Sequence, residues 1–180
     1  MNRFFLTGWL VAGLSLFSIH GWAQPASVTD LDWREGEVPA PPAFQSNRLV
    51  RFEVSVGSEL QYGLVPDSLS VGPDGVIRFV WVAQSRSGAV NVAYEGVRCR
   101  TREMRTYARW SPRDMPLPAP FTEAEGEWRP MPESDWMALT GSPQARPAWM
   151  LARAALCEGS TINRNPSQML RDLRQGRRLE

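Results

Sequence analysis

The sequence contains no lysine and a single histidine, and these two shortages exclude several kinds of catalysis. Without lysine, the chain cannot use a Schiff base, a Ser-Lys dyad or the lysine-containing phosphate loop of nucleotide hydrolases. The histidine, His20, lies in an N-terminal segment that we expect to be removed. The mature chain then has no imidazole for Ser-His-Asp or Cys-His catalysis, for binding zinc or for moving protons at neutral pH.

Residues 1–23 have the features of a secretory signal peptide. A basic start at Arg3 precedes an apolar stretch from Phe4 to Ile19, and small residues follow at Gly21 and Ala23. This pattern predicts cleavage after Ala23 and a periplasmic location. The alternative is an uncleaved membrane anchor, but the stretch is shorter than the about 20 residues that a spanning helix needs. We therefore expect no stable membrane insertion.

The charge of the predicted mature chain is balanced. Once Arg3 leaves with the signal peptide, 19 arginines face 19 acidic residues. Proteins that bind nucleic acid usually carry a clear positive excess, so no nucleic-acid partner is expected. The acidic residues after the cleavage site lack the ligand spacing and the glycine of a calcium loop. We predict neither a metal nor a cofactor.

The two cysteines, Cys99 and Cys157, both remain after cleavage. Export would bring them into an oxidising compartment, where a Cys99–Cys157 disulfide is the simplest expectation. The alternatives are two buried thiols or one reactive thiol. A reactive thiol is disfavoured because no histidine is present to activate it.

The order of segments along the chain predicts one domain with appended ends. Residues 24–46 are acidic and rich in proline, which prevents a regular element, so we expect an extended arm. Residues 47–165 are predicted to form a single α+β domain. Residues 166–180 are predicted to be a C-terminal helix and tail, because the run Asn165-Pro166-Ser167-Gln168 has the order of a helix N-terminus.

Alternating and continuous apolar runs predict the strands. Residues 49–56 alternate as in a half-buried strand, whereas residues 76–84 are apolar on both faces, as in a central strand. Turn signals at residues 72–75 and 85–88, and two further runs at 89–98 and 101–110, predict an antiparallel sheet of four to five strands. C-terminal helices are expected to pack on it. Between residues 111 and 132 we expect one long proline-rich loop.

Two stretches of the chain resemble a known family. They are Ile77-Arg78-Phe79-Val80-Trp81-Val82-Ala83-Gln84-Ser85 and Tyr94-Glu95-Gly96-Val97-Arg98-Cys99. These runs resemble the cryptic neisserial protein family, small exported proteins of Gram-negative bacteria without an assigned function. The resemblance extends from about Leu49 to Gly159. It implies a secreted single domain with Cys99 at the family's cysteine position, and it supplies no catalytic residue.

An arginine series is the first candidate site. Arg98, Arg100 and Arg102 would share one face if the chain were a continuous strand there. A row of guanidinium groups can bind phosphate, carboxylate or the acidic surface of a partner. The alternative is a solvated sheet face balanced by neighbouring acids.

Aromatic and acidic residues supply two further candidates. Trp110 and Trp128 flank the proline-rich loop and could contact a partner or a sugar, or else pack the loop onto the sheet. The carboxylates Glu123, Glu125 and Glu127 are the cluster that could support glycoside hydrolysis without histidine, although nothing predicts a raised pKa there.

Together these features predict a non-catalytic binding or interaction module of the cell envelope. Its expected partner is an envelope protein or an anionic ligand that meets the arginine series and the proline-rich loop. The alternatives are a periplasmic hydrolase that uses carboxylates and a structural envelope protein that acts through its terminal arms.

Overall fold

An antiparallel sheet forms the centre of the molecule. The computed structural model describes residues 32–132 and 134–176, so the predicted signal peptide, residues 24–31 of the arm and the last four residues lie outside it. From Trp33 onward the described residues form one compact unit. Among them, no helix has both the length and the apolar content that crossing a bilayer requires.

The elements follow one another in a simple order. The first eight strands are β1 Val50–Phe52, β2 Leu60–Leu64, β3 Ser70–Val71, β4 Ile77–Ser85, β5 Val90–Arg98, β6 Glu103–Pro112, β7 Gly126–Pro130 and β8 Met137–Ala138. They are followed by helix α1 Arg146–Leu151, a π-helical turn Ala152–Leu156, two paired strands of two residues each, β9 Cys157–Glu158 and β10 Thr161–Ile162, and helix α2 Pro166–Gln175.

The main sheet is larger than the predicted four to five strands. Within the described residues it contains eight, in the order β1-β2-β4-β5-β6-β7, with β3 beside β4 and β8 beside β6. All the pairings are antiparallel, as predicted. The prediction missed β7 because it lies inside the proline-rich region and lacks a clear alternation of apolar residues. It is an edge strand, where a terminal proline costs no ladder hydrogen bond.

The predicted first strand is also shorter than its sequence pattern. The alternation through residues 49–56 continues past the end of β1, and Val56 is fully exposed in the following turn. By contrast, β4 is central as predicted: it pairs with β2 on one side and β5 on the other, and Ile77 to Ala83 are all buried.

The helices cover one face of the sheet. Phe79 and Trp81 of β4 pack there with Leu151 and Leu156 from the α1 segment and with Met169 of α2. Helix α2 begins as predicted, because the Asn165 side chain accepts a hydrogen bond from the N–H of Gln168 at 3.0 Å. The first of the C-terminal helices is short: α1 passes into the π-helical turn, and β9 begins at Cys157.

The opposite face carries an aromatic core covered by loops. Phe44 and Phe121 pack on Val80, Tyr94 and Trp110. Phe44 belongs to the predicted arm, so the end of the arm is part of the core. Backbone hydrogen bonds from Ser46 to Phe121 and from Glu123 to Phe44, at 2.9 and 3.1 Å, hold the arm against the loop that follows β6.

Candidate functional site

The arginine series does not form a row along one strand. Strand β5 ends at Arg98, a turn follows, and β6 begins at Glu103, so Arg100 and Arg102 lie in the turn. Arg98 is buried and stacks on Trp33 of the arm, with its guanidinium carbon 3.5 Å from the ring centroid. The shared-face prediction was therefore wrong, because it extended the two-residue period through a turn.

One carboxylate of the arm, that of Glu35, attaches the arm to the sheet face beside Arg98. Glu35 accepts hydrogen bonds from Arg105 at 2.7 Å, Arg78 at 3.4 Å, Trp136 Nε1 at 3.3 Å and the Tyr107 hydroxyl. Four donors from β4, β6 and the segment before β8 thus converge on a single side chain. We call Glu35 and these four donors the arm cluster.

Asp74, in the turn before β4, joins the arm to the same place. It accepts a hydrogen bond from Arg78 at 2.6 Å and another from the Gly36 N–H at 2.9 Å, and its carbonyl accepts from Trp33 Nε1 at 2.8 Å. Burial alone would raise the pKa of Asp74, but the bonds from Arg78 and from backbone N–H groups lower it below its usual range. The carboxylate is therefore held in its charged form.

Most donors of the arm cluster bond within the chain. Arg78 is 3 % exposed; its two terminal nitrogens donate to Asp74 and Glu35, and its buried Nε has no hydrogen-bond partner among the described residues. Burial, followed by the hydrogen bond to Glu35, raises the pKa of Tyr107 well above its usual range, so its hydroxyl remains a neutral donor. These contacts attach the arm to the sheet and are best understood as structural.

The second family-like stretch is explained by packing on both sheet faces. Gly96 lies directly under Tyr107, and a Cβ at this position would be 2.4 Å from the Tyr107 hydroxyl. Its neighbour Glu95 points to the helix-covered face and is completely buried. Arg98 stacks on the arm and Cys99 forms the disulfide. Close packing thus accounts for Gly96, stacking for Arg98 and cross-linking for Cys99.

Glu95 is an acid in an apolar core. Burial raises its pKa to about 7, opposed by Trp81, Arg109 and Thr106. One oxygen accepts a hydrogen bond from Thr106 at 3.4 Å. The other oxygen and Trp81 Nε1 make no hydrogen bond of ordinary geometry within the described residues, although the indole N–H is near enough to favour the charged form. Glu95 cannot reach a substrate, because none of its surface is exposed.

The two candidate tryptophans pack the loop onto the sheet. Trp110 is buried, stacks on Phe121 at 5.7 Å and donates its indole N–H to the carbonyl of Glu123 at 2.9 Å. Trp128 is partly buried and lies edge-on to Phe44 at 6.1 Å. The structure thus places both side chains in the loop-covered core.

The three loop carboxylates do not converge. Glu125 accepts hydrogen bonds from Thr122 in a capping box, and these bonds lower the pKa of the Glu125 carboxyl. Glu127 is exposed and lies 3.6 Å from Arg113. Glu123 lines a separate surface cleft. The arrangement does not give the facing pair of carboxylates that a glycosidase needs.

The predicted disulfide is present and borders a cleft. Cys99 and Cys157 are joined, with their Cα atoms 5.6 Å apart. The cleft has a volume of about 340 Å³, and we call it the disulfide cleft. It is lined by Cys99, Arg102, Leu139, Thr140, Trp149, Ala152, Arg153, Cys157 and Gly159.

Two arginines of the disulfide cleft have no acidic partner. Arg102 and Arg153 are both exposed, and neither makes an ion pair or a side-chain hydrogen bond with a described residue. Arg153 lies over the indole of Trp149, with its guanidinium carbon 4.7 Å from the ring centroid. The disulfide ties together the two segments that carry these arginines.

Arg102 also has an unusual backbone. Its φ of 57° lies in the left-handed region, which glycine or asparagine normally occupies. Its carbonyl accepts a hydrogen bond from the N–H of Leu139 at 2.9 Å, so β8 and the following residues support this conformation. A bulky side chain at such a position has an energetic cost that surrounding structure must offset.

Sequence reasoning found Arg102 and both cysteines but missed Trp149 and Arg153. A signal was present, because Trp149, Arg153 and Cys157 follow one another at intervals of four residues. That spacing places them on one side of a helix, next to the predicted disulfide. Glu35 and Arg78 were also missed, because no local pattern connects an arm residue to a central strand.

The family model named CNP1-like family matches residues 28–174 of the chain. The match covers the described part of the arm, the whole sheet and nearly all of α2, and it is wider than the resemblance found from the two sequence stretches. No curated protein and no solved structure matches the chain. The chain belongs to the CNP1-like family.

Proposed function

We propose that this chain is an exported, non-catalytic binding protein of the cell envelope, and that it holds an anionic ligand in the disulfide cleft. The observation that carries the proposal is that Arg102 and Arg153 line one cleft and have no acidic partner in the part of the chain that the structure describes. The predicted signal peptide and the disulfide support the envelope location, because disulfides persist in oxidising compartments.

The contrast with the other face of the molecule supports this choice of site. Arg78 and Arg105 contact acidic side chains within the chain, and Arg98 contacts Glu103 and two indoles. An external anion would have to displace those partners. Arg102 and Arg153 have no ion-pair partner among the described residues, and a charge-assisted hydrogen bond to a guanidinium contributes about 1.5–3 kcal/mol.

A catalytic function has no comparable support. The predicted mature chain contains no histidine, and both cysteines are in the disulfide. The carboxyl with a pKa near neutrality, Glu95, is sealed in the core. The periplasmic hydrolase would need Glu123, Glu125 and Glu127 to converge, which they do not.

The arm gives no separate argument for a structural envelope protein. From Trp33 to Gly36 it contacts its own sheet through Glu35 and Asp74. Those residues are therefore engaged within the chain and are not presented to another protein.

Thermal unfolding in the presence of simple anions tests the proposal. Inorganic phosphate and acetate, compared with chloride at equal ionic strength, are expected to raise the melting temperature of the wild type. A ligand at about 100 times its Kd stabilises a protein by about 2.7 kcal/mol. Arg102→Gln and Arg153→Gln should each reduce the shift, and the double variant should abolish it.

The control variant is Arg86→Gln. Arg86 is exposed in the turn between β4 and β5, outside the cleft, so its loss removes the same charge without affecting the site. An anion-dependent shift that is the same in the double variant and in Arg86→Gln would overturn the proposal.

A further inference from the structure

We infer that the ligand of the disulfide cleft is a small organic acid with a flat apolar body, an inference that rests on the proposed anion-binding function. The acid group would bind Arg102 and Arg153, and the body would lie against Trp149 and the disulfide. The lining of the cleft, its size and its limited charge support this ligand class.

The lining combines a charged part with an apolar part. Leu139, Ala152 and Cys99 are largely buried, and their few exposed atoms form the apolar wall of the cleft. Trp149 is half-buried and adds an indole, which prefers planar partners. An inorganic anion would use the arginines alone and leave this wall in contact with water. A ligand that also covers the wall gains the hydrophobic contribution of the area it buries.

The size of the cleft limits the ligand to a small molecule. Its volume of about 340 Å³ is near the lower end of the range for small-molecule sites, about 300–1,000 Å³. A neighbouring groove of about 480 Å³ shares Leu139, Thr140, Trp149 and Arg153 with it. One or two fused or linked rings fit these dimensions, whereas a folded partner does not.

The charge of the site favours a single acid group. Two guanidinium groups and the Thr140 hydroxyl are the polar side chains that line the cleft. A nucleic-acid strand or another polyanion would need a longer series of cations. Because Arg153 stacks on Trp149, one ligand can contact the guanidinium edge and the indole at the same time.

Two related fluorescent probes test the inference directly. 8-Anilinonaphthalene-1-sulfonate has an apolar body built on a flat naphthalene ring, with one acid group, and N-phenyl-1-naphthylamine has nearly the same body without the acid. Calorimetric titration of the folded wild type should give a Kd for the sulfonate at least about tenfold lower than for the amine. The Kd for the sulfonate should also be at least about tenfold lower than the Kd for inorganic phosphate, because phosphate does not cover the apolar wall.

Variants separate the two halves of the site. Arg153→Gln should weaken sulfonate binding about tenfold or more, because a charge-assisted hydrogen bond is lost. Trp149→Leu should weaken it several-fold through loss of the planar contact, and Trp149→Phe should restore part of that loss. Near-UV circular dichroism of each variant verifies that the core is intact before titration.

The outcomes distinguish this inference from the proposed function. If phosphate binds through Arg102 and Arg153 but the sulfonate binds no more tightly, the anion site stands and the inferred ligand class is wrong. If the sulfonate and the amine bind equally, or if Arg153→Gln has no effect on sulfonate binding, the acid group is not recognised and the inference is wrong. If neither phosphate nor the sulfonate binds, both proposals are wrong.

Discussion

Replacing Glu95 with glutamine should remove a pH dependence of stability that the buried carboxyl creates. Its pKa is about 7 in the folded chain, against an ordinary value of 4.5. The folded state therefore binds this proton more tightly than the unfolded state does. Stability from this group is complete below about pH 4.5 and is lost as the pH rises through about 7.

The difference between the folded and unfolded pKa of Glu95 determines how strongly the unfolding free energy depends on pH. A pKa difference of about 2.5 corresponds to a total contribution of about 3 kcal/mol to the unfolding free energy. About 2.5 kcal/mol of this contribution is lost between about pH 5 and about pH 8. The groups facing Glu95 are Trp81, Thr106 and Arg109, all of which favour the carboxylate. Glutamine stays neutral throughout and can still accept a hydrogen bond from Thr106.

The assay is urea unfolding of the wild type and of Glu95→Gln at both pH values. The difference in unfolding free energy between the two proteins should change by about 2.5 kcal/mol, with the wild type losing stability at the higher pH. Glu59→Gln, at an exposed position, is the control and should follow the wild type. If wild type and Glu95→Gln show parallel pH dependence, Glu95 is not a buried acid with a raised pKa.

Three further variants test the packing of the sheet. Gly96→Ala should destabilise the fold by about 1–3 kcal/mol, because its Cβ would collide with the phenol that holds the arm, and thermal unfolding measures this loss. Glu35→Gln should lower the unfolding free energy by about 3 kcal/mol and speed proteolysis of the arm. Glu37 is exposed on the same arm, so Glu37→Gln should change neither. Replacing Cys99 and Cys157 with alanine should lower the unfolding free energy by about 4 kcal/mol in the chain-entropy model, and equal stability in denaturant would refute the cross-link's role.

The sheet was predictable where the apolar pattern is long. Strand β4 and the hairpin that leads to β5 follow directly from a buried run and a glycine-containing turn. The turn after β5 was not predictable in this way, because Cys99-Arg100-Thr101-Arg102 contains no glycine, proline, asparagine or aspartate. Arg102 occupies the left-handed position that glycine usually fills, so the local sequence does not indicate a turn between the two strands.

The candidate site was predictable only in part, for a related reason. The disulfide prediction already joined the turn after β5 to the segment after α1. The remaining wall comes from Leu139 and Thr140, which follow β8 and reach the cleft through pairing that no local pattern encodes. Likewise, Glu35 meets Arg78 across 43 residues of sequence, and only the folded sheet brings the two together.

The two arginines with a left-handed backbone conformation form a matched pair that tests the anion site most directly. Arg102 has a φ of 57° and lines the cleft, whereas Arg164 has a φ of 51° and is exposed before α2, outside it. Glycine at either position relieves backbone strain of about 1 kcal/mol, so both variants should be at least as stable as the wild type.

Calorimetric titration of inorganic phosphate into the wild type, Arg102→Gly and Arg164→Gly then isolates the site. If the disulfide cleft is the anion site, Arg102→Gly should lose phosphate binding by about tenfold or more while Arg164→Gly retains it. Equal binding by the two glycine variants, with both folded, would contradict the claim that the disulfide cleft is the anion site of this protein.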